Sequence, residues 1–177
     1  MSLSLATELE RLAEGLSDDA EKSTPITWST VAERIAKSLG VKIDEVGILG
    51  ISARWRHLYF IVPEALKNVG FIPLTSNSAL AARTARESRP EINNNFTATR
   101  HASVFEGVKT SAESAEAIQK IISAPILAGD KVVGVIQISR KGANVSKVGP
   151  DFTPTDLGKV LAICKPLGKL LRFDARE

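Results

Sequence analysis

The fold is decided by residues 121–141, which read IISAPILAGDKVVGVIQISRK. Two apolar runs rich in β-branched residues, 121–127 and 132–139, flank a short Ala-Gly-Asp-Lys connection. Such runs favour extended backbone, and Gly-Asp favours a tight turn. The stretch therefore predicts a β-hairpin.

The second strand of this hairpin has one apolar face and one mixed face. Since side chains alternate along a strand, the apolar face carries Val132, Gly134, Ile136 and Ile138. The mixed face carries Val133, Val135, Gln137 and Ser139. We expect a central strand that is covered on one side and partly open on the other. Gly134, in mid-strand, indicates a place where another backbone or a ligand comes close.

Composition limits the class of protein. The chain has 177 residues, of which 44% are hydrophobic and 24% charged, as in one soluble globular domain. No apolar run approaches the roughly 18–20 residues that cross a bilayer, and the N-terminus lacks the basic region of a signal peptide. A single cysteine, Cys164, excludes an internal disulfide and fits a reducing compartment, so we expect a cytoplasmic protein.

The charge balance gives no sign of a nucleic-acid partner. The 23 basic and 20 acidic residues nearly cancel, and the densest basic stretch is interrupted by glutamates. A solvated helix face explains that stretch better than a nucleic-acid groove.

The chain begins with a narrow leucine stripe. Leucines recur at helical spacing at Leu5, Leu9, Leu12 and Leu16. The stripe would suit a partner helix or the chain's own body, and both interpretations stay open. We assign residues 1–26 to an N-terminal helix and linker, 27–171 to the main domain and 172–177 to a polar tail.

The remaining elements are predicted from the spacing of apolar residues and from residues that end helices and strands. We expect a helix over 27–39, neighbouring antiparallel strands over 46–51 and 55–62, and a helix over 75–88 that Pro90 stops. A short extended piece follows at 91–96. Residues 97–118 have poor periodicity.

A last helix closes the domain. Thr153 is its expected N-cap, and its apolar stripe is Leu157, Val160, Leu161, Cys164, Leu167 and Leu171. The order of elements favours an α+β fold, an α/β/α sandwich around an antiparallel sheet.

The hairpin and the start of the last helix resemble the GAF domain family. The family's pattern is an apolar-Pro-apolar strand, a Gly turn, a Val-apolar-Gly-Val strand and then Phe-Thr-x-x-Asp. Here residues 123–138 and 152–157 match it, and residues 80–95 resemble the family's helix with its Arg-Pro stop and short polar strand. The resemblance spans roughly residues 27–171.

The resemblance implies a GAF/PAS-like sandwich with a central antiparallel sheet of about 5–6 strands. The terminal helices would pack on one face, and a small-molecule pocket would lie on the other, roofed here by residues 93–106. GAF domains mostly act as ligand-sensing or dimerising modules in signalling proteins. This step from fold to function is analogy.

Three branches of the family can be compared residue by residue. Cyclic-nucleotide-binding members carry Asn-Lys after the hairpin and then Phe-x-x-x-Asp-Glu; Lys141, Phe152 and Asp156 match, whereas Arg140 and Leu157 do not. Lys141 could pair with Asp156. Bilin-binding members need a pocket cysteine, but Cys164 is expected to be a buried structural thiol. Free methionine sulfoxide reductases need several cysteines, so we expect no such enzyme.

The candidate ligand-binding residues are Tyr59, Asn93, Asn94, Asn95, Arg100, His101 and Phe105. Arg100 and His101 could recognise an anion, with the asparagines offering hydrogen bonds, although a bare polar loop explains the same residues. A haem axial role for His101 rests on that residue alone. No metal site has the required ligand spacing, and the sequence identifies no cofactor.

We therefore expect a cytoplasmic regulatory or sensory module that forms a homodimer through its terminal helices. It would bind a small ligand under residues 93–106 and pass its signal to a separate protein by association. The alternative is a purely structural interaction module whose pocket is filled by Phe96, Val104 and Phe105. An enzyme ranks third, since no nucleophile and base can be paired, so we predict no enzymatic activity; nucleic-acid binding ranks fourth.

Overall fold

The helices and strands follow the predicted order, with one strand, Phe71–Pro73, in addition. The computed structural model describes residues 7, 28–52, 54, 56–62, 71–77, 79–96, 117–142 and 144–173. The helices in this part of the chain are α1 (Trp28–Leu39), α2 (Leu80–Glu87) and α3 (Pro154–Phe173). The strands are β1 (Val46–Ser52), β2 (His57–Val62), β3 (Phe71–Pro73), β4 (Glu91–Asn93), β5 (Ala117–Ala128) and β6 (Lys131–Gly142).

The strands form one antiparallel sheet in the order β3-β2-β1-β6-β5-β4. The predicted hairpin is β5–β6, each strand is 12 residues long, and β6 also pairs with β1 at the centre of the sheet. Gly129 in the turn has φ of 67°, which glycine adopts without strain. The expected α+β fold with about 5–6 strands is confirmed.

A bulge at Val133 changes the predicted faces of β6. Ile126 pairs with Gly134 and Leu127 pairs with Val132, so Val133 is an extra residue in the pairing. Val132 consequently packs on the α2 side of the sheet and Val133 on the opposite side. The prediction that Val132 shares a face with Ile136 was therefore wrong.

Gly134 lies where two backbones meet, as predicted. A Cβ atom at this position would clash with the carbonyl oxygen of Leu49 on β1 and press on the side chain of Leu171 on α3. The neighbour is thus the protein's own backbone.

The two faces of the sheet are covered by different helices. α1 and α3 bury one face, in a core that includes Ile35, Ile136, Ile138 and Leu167. α2 packs on the other face, against Leu49, Phe60, Ile121 and Val135. The placement of the flanking helices on one face agrees with prediction for α1 and α3. None of the helices in the described part is long and apolar enough to cross a membrane.

Some boundaries differ from prediction. Phe71–Pro73, expected to lead into a helix, forms β3 and pairs with β2, and α2 begins only at Leu80. On α3, Leu161 is 42% exposed, whereas Ile163 and Leu170 are buried. The apolar stripe is centred on Val160, Cys164, Leu167 and Leu171, and Leu161 falls outside it. The predicted N-terminal leucine helix lies, apart from residue 7, outside the described residues.

Candidate functional site

A row of polar side chains is buried between α2 and the centre of the sheet. Thr84 comes from α2, Ser123 from β5 and Gln137 from β6, and none is more than 2% exposed. Ser123 and Gln137 are directly paired across β5 and β6, so they share one face. We call these three residues the polar row. The apolar residues of this α2 face include Leu49, Leu58, Phe60, Phe96, Ile121 and Val135.

Hydrogen bonds link the polar row from end to end. The Thr84 hydroxyl donates to the carbonyl of Leu80, 2.9 Å away within α2. The hydroxyl oxygens of Thr84 and Ser123 are 2.7 Å apart. The side-chain amide nitrogen of Gln137 donates to the Ser123 hydroxyl over 3.2 Å. The row therefore anchors α2 to the middle of the sheet.

The far atom of the row has no partner. The side-chain oxygen of Gln137, Oε1, is fully buried and accepts no hydrogen bond in the structure described for this chain. Gly47 pairs with Gln137 across β1 and β6, so β1 places no side chain beside it. Buried side-chain polar atoms are nearly always hydrogen-bonded, and leaving one unsatisfied costs about 1–3 kcal/mol. This unsatisfied acceptor makes the polar row the candidate site.

The edge of the α2 face carries a closed ion pair. One terminal nitrogen of Arg83 lies 2.8 Å from each carboxylate oxygen of Glu91 on β4. Both side chains are more than a third exposed. The pair joins α2 to β4, and its stability contribution is small because water screens it.

Tyr59 lies on the opposite side of the sheet from the polar row. Its neighbours Leu58 and Phe60 belong to the α2 face, so alternation turns Tyr59 toward the side that α1 and α3 cover. Its ring lies over Gly50 of β1, where a Cβ would overlap it. The structure thus does not bring Tyr59 together with the predicted loop residues.

The three asparagines lie at the β4 edge, and the bonds described for them are to other parts of the protein. Asn93 accepts a hydrogen bond from the backbone of Asn95 over 2.9 Å. Asn94 makes a reciprocal pair with the backbone of Phe152, donating over 3.1 Å and accepting over 2.8 Å. Asn94 therefore fixes the chain just before α3.

Arg100, His101 and Phe105 lie outside the described residues, which end at Phe96 on this side of the predicted roof. Phe96 itself is 2% exposed and belongs to the α2-face core. The role of Arg100, His101 and Phe105 in ligand binding stays a prediction.

Sequence reasoning missed the polar row as a site. Gln137 was placed correctly on the mixed face of β6. However, its partner Ser123 comes from β5, and Thr84 comes from α2, 39 residues before Ser123 in the chain. The usable signal was one polar residue, Ser123 or Gln137, within the most apolar stretch of each strand. Knowing that these two positions face each other requires the register of the hairpin.

The residues compared with cyclic-nucleotide-binding members have structural roles. The Lys141 ammonium donates to the carbonyl of Asp44 over 3.1 Å, while Asp156 accepts from the backbone and hydroxyl of Thr153 at the start of α3. The predicted pairing of Lys141 with Asp156 was therefore wrong, because each group is used locally. Burial lowers the pKa of Lys141, and the nearby carboxylates of Asp44 and Glu45 partly oppose this.

Thr153 is the N-cap of α3, as predicted. Its hydroxyl accepts from the backbone of Asp156 over 3.2 Å while the Asp156 carboxylate accepts from the Thr153 backbone over 2.9 Å. This reciprocal arrangement is a capping box. Cys164 is buried further along α3, where burial raises the pKa of its thiol to about 12. A thiol of that kind is a poor nucleophile near neutral pH.

No protein-family model and no curated protein matches the chain. Solved structures do match it. The GAF domain of an Acinetobacter phosphoenolpyruvate-protein phosphotransferase has a TM-score of 0.63 at 14% identity, covering 98% of this chain and 96% of that chain. The A. aeolicus nlh2 GAF domain, solved in an inactive state, has a TM-score of 0.62 at 14% identity, covering 97% and 95%.

Enzymes share this fold too. The type II free methionine-R-sulfoxide reductase from Thermoplasma acidophilum has a TM-score of 0.60 at 14% identity, covering 93% of this chain and 96% of that chain. The prediction that the chain is not an enzyme was therefore wrong, because enzymes are among the structures that match it. At these identities the likeness concerns the fold alone, and that fold is GAF-like.

Proposed function

We propose that the chain is a regulatory GAF-like module that binds a small molecule on the α2 face of its sheet, under the segment 93–106. The observation that carries this proposal is the buried, unpartnered Gln137 Oε1. Small-molecule sites are mostly apolar with a few placed polar groups, and the α2 face has that composition. The similarity to GAF domains of larger proteins supports a regulatory role.

A thermal-shift screen of small metabolites against the whole chain tests this proposal. A ligand of the folded state raises the melting temperature. We expect a compound that stabilises the wild type and fails to stabilise Gln137→Leu. Gln119→Leu is a matched control, since Gln119 is also a buried glutamine but its amide is bound to the Gly142 carbonyl at 2.9 Å. Stabilisation that survives Gln137→Leu would contradict the assigned face.

Phe96 favours one alternative function, an interaction module with a filled interior. Its ring is buried in the α2-face core, where a ligand would otherwise lie. On this alternative, Phe96→Ala would open a cavity and bind small apolar compounds that the wild type does not bind. A wild-type protein that binds as well as Phe96→Ala would exclude the filled interior.

We also propose that the module is a homodimer that signals to a separate protein by association. Leu161 on α3 is exposed and Leu157 beside it is only partly buried. Leu161 lies on the outer side of the helix, one turn after Leu157, and a leucine stripe such as that of the N-terminal sequence could pack there. A reducing, cytoplasmic setting is part of this proposal, because the sole cysteine is a buried thiol.

A further inference from the structure

We infer that the ligand presents a neutral hydrogen-bond donor, such as an amide N–H or a hydroxyl, to Gln137 Oε1, and that no anionic group of the ligand lies at the polar row. This inference rests on the proposed function and specifies the ligand class of the same site.

The direction of the hydrogen bonds in the polar row leads to this class. The carbonyl of Leu80 has no proton, so Thr84 is the donor of their 2.9 Å bond. Thr84 has only one hydroxyl proton, so Ser123 must be the donor in their 2.7 Å contact. Ser123 can then only accept from Gln137.

The orientation of the Gln137 amide follows from that direction. Its nitrogen must face Ser123, 3.2 Å away, and its oxygen must point away from the row. The one atom of the row that is left without any partner is consequently an acceptor. A carboxylate or a fully ionised phosphate has no proton for this oxygen and would leave it unsatisfied.

The surroundings of the row favour a neutral ligand. Arg83, the basic side chain of α2 at the edge of this face, is already bound by both carboxylate oxygens of Glu91. The hydrophobic neighbours in this face include Leu49, Phe60 and Val135. The buried hydroxyl of Ser139, two residues beyond Gln137 on the same strand face, already donates to the carbonyl of Glu45 over 3.3 Å. Because an unpaired charge is costly to bury in such an environment, a charged group would be excluded unless it was neutralised. The part of the ligand that lies at the polar row is therefore apolar apart from a neutral donor.

A panel of matched amide and carboxylate fragments, led by benzamide and benzoate, tests this inference. Binding is followed by NMR on the whole isotope-labelled chain, using the side-chain amide signal of Gln137. We expect the amides to move this signal and to bind at least about tenfold more tightly than their carboxylates. Gln137→Leu should lose that preference, and Gln119→Leu should keep it. Gln137→Met offers a second, unbranched replacement if the leucine variant does not fold.

Two outcomes would overturn the inference, and they differ in what they say about the proposed function. Carboxylates that bind through the polar row as tightly as the amides would refute the ligand class and leave the site in place. Failure of both fragment classes, together with a water molecule bonded to Gln137 Oε1 in a crystal structure, would refute the ligand class and the site together.

Discussion

Gln137 combines two properties that rarely occur together in a core: complete burial and an acceptor without a donor. In the ligand-free protein this oxygen should destabilise the fold, since an unsatisfied buried group costs about 1–3 kcal/mol. The effect can be measured on stability alone, independently of any ligand.

Replacement of Gln137 by leucine should leave the ligand-free protein at least as stable as the wild type. The substitution removes the orphan oxygen and keeps a side chain of similar size. Ser123→Ala should instead lower the free energy of unfolding by about 1–2 kcal/mol, because the Gln137 amide nitrogen then loses its acceptor. Urea denaturation measures both variants. A loss of stability in Gln137→Leu that exceeds the loss in Ser123→Ala would show that the oxygen has a partner.

Cys164 should be protected from alkylation and should couple stability to high pH. Burial raises the pKa of this thiol from an ordinary value of 9.0 to about 12. The folded state then holds the proton over a range in which the unfolded state releases it, so the contribution is present below pH 9 and is lost as the pH rises toward 12.

Two measurements check the Cys164 prediction. Iodoacetamide at pH 8 should react slowly with the folded protein and rapidly in urea. In denaturation series between pH 9 and pH 11, Cys164→Ala should show a shallower decline of stability than the wild type. Equal labelling rates in the folded and unfolded states would place the thiol at the surface.

At the scale of elements, the packing of α3 against the sheet depends on one glycine. A Cβ atom at Gly168 would clash with the backbone carbonyl of Leu127 near the end of β5, whereas a Cβ atom at Gly158 meets nothing within 4 Å. The two glycines lie in the same helix, so they form a matched pair.

Alanine at these two positions should have opposite effects on stability. Gly158→Ala should stabilise the protein by about 1 kcal/mol, because alanine favours helix more than glycine does. Gly168→Ala should destabilise it by about 1–3 kcal/mol, because the helix would have to move off β5. Thermal unfolding of the two variants decides the matter. Equal and stabilising effects would mean that α3 is not seated against the carbonyl of Leu127.

The elements also show how far sequence reasoning reaches. The β5–β6 hairpin and the capping of α3 at Thr153 were predictable because their signals are local: two apolar runs around Gly-Asp, and Thr before Pro-Thr-Asp. The bulge at Val133 was not, since it depends on pairing with Leu127 across the hairpin. β3 was missed because three residues are too few for periodicity and only β2 defines them.

The candidate site was harder to predict from the sequence than the fold was. Loop residues such as Asn94 attract attention because polar loops often carry function, yet Asn94 fixes Phe152 before α3. The polar row joins three separate elements, and its meaning depends on the direction of individual hydrogen bonds. Neither the meeting of these three elements nor the direction of their hydrogen bonds can be predicted from a local sequence pattern.

At the scale of the whole molecule, the exposed side of α3 should hold two copies together. We expect a concentration-dependent dimer in sedimentation velocity experiments, and we expect Leu161→Glu to make it a monomer, since the charge would be desolvated in the interface. Phe71→Glu is the control, because Phe71 is 59% exposed but lies on β3 at the edge of the sheet. A wild type that stays monomeric at high concentration would contradict the dimer.

If a small molecule completes the polar row, a crystal structure of the protein purified and crystallised with a compound from the stabilising screen should show it there. We expect a neutral donor atom of that compound at hydrogen-bond distance from Gln137 Oε1, about 2.7–3.2 Å. A compound bound elsewhere, with a water molecule or a protein side chain satisfying this oxygen, would mean that no ligand completes the polar row.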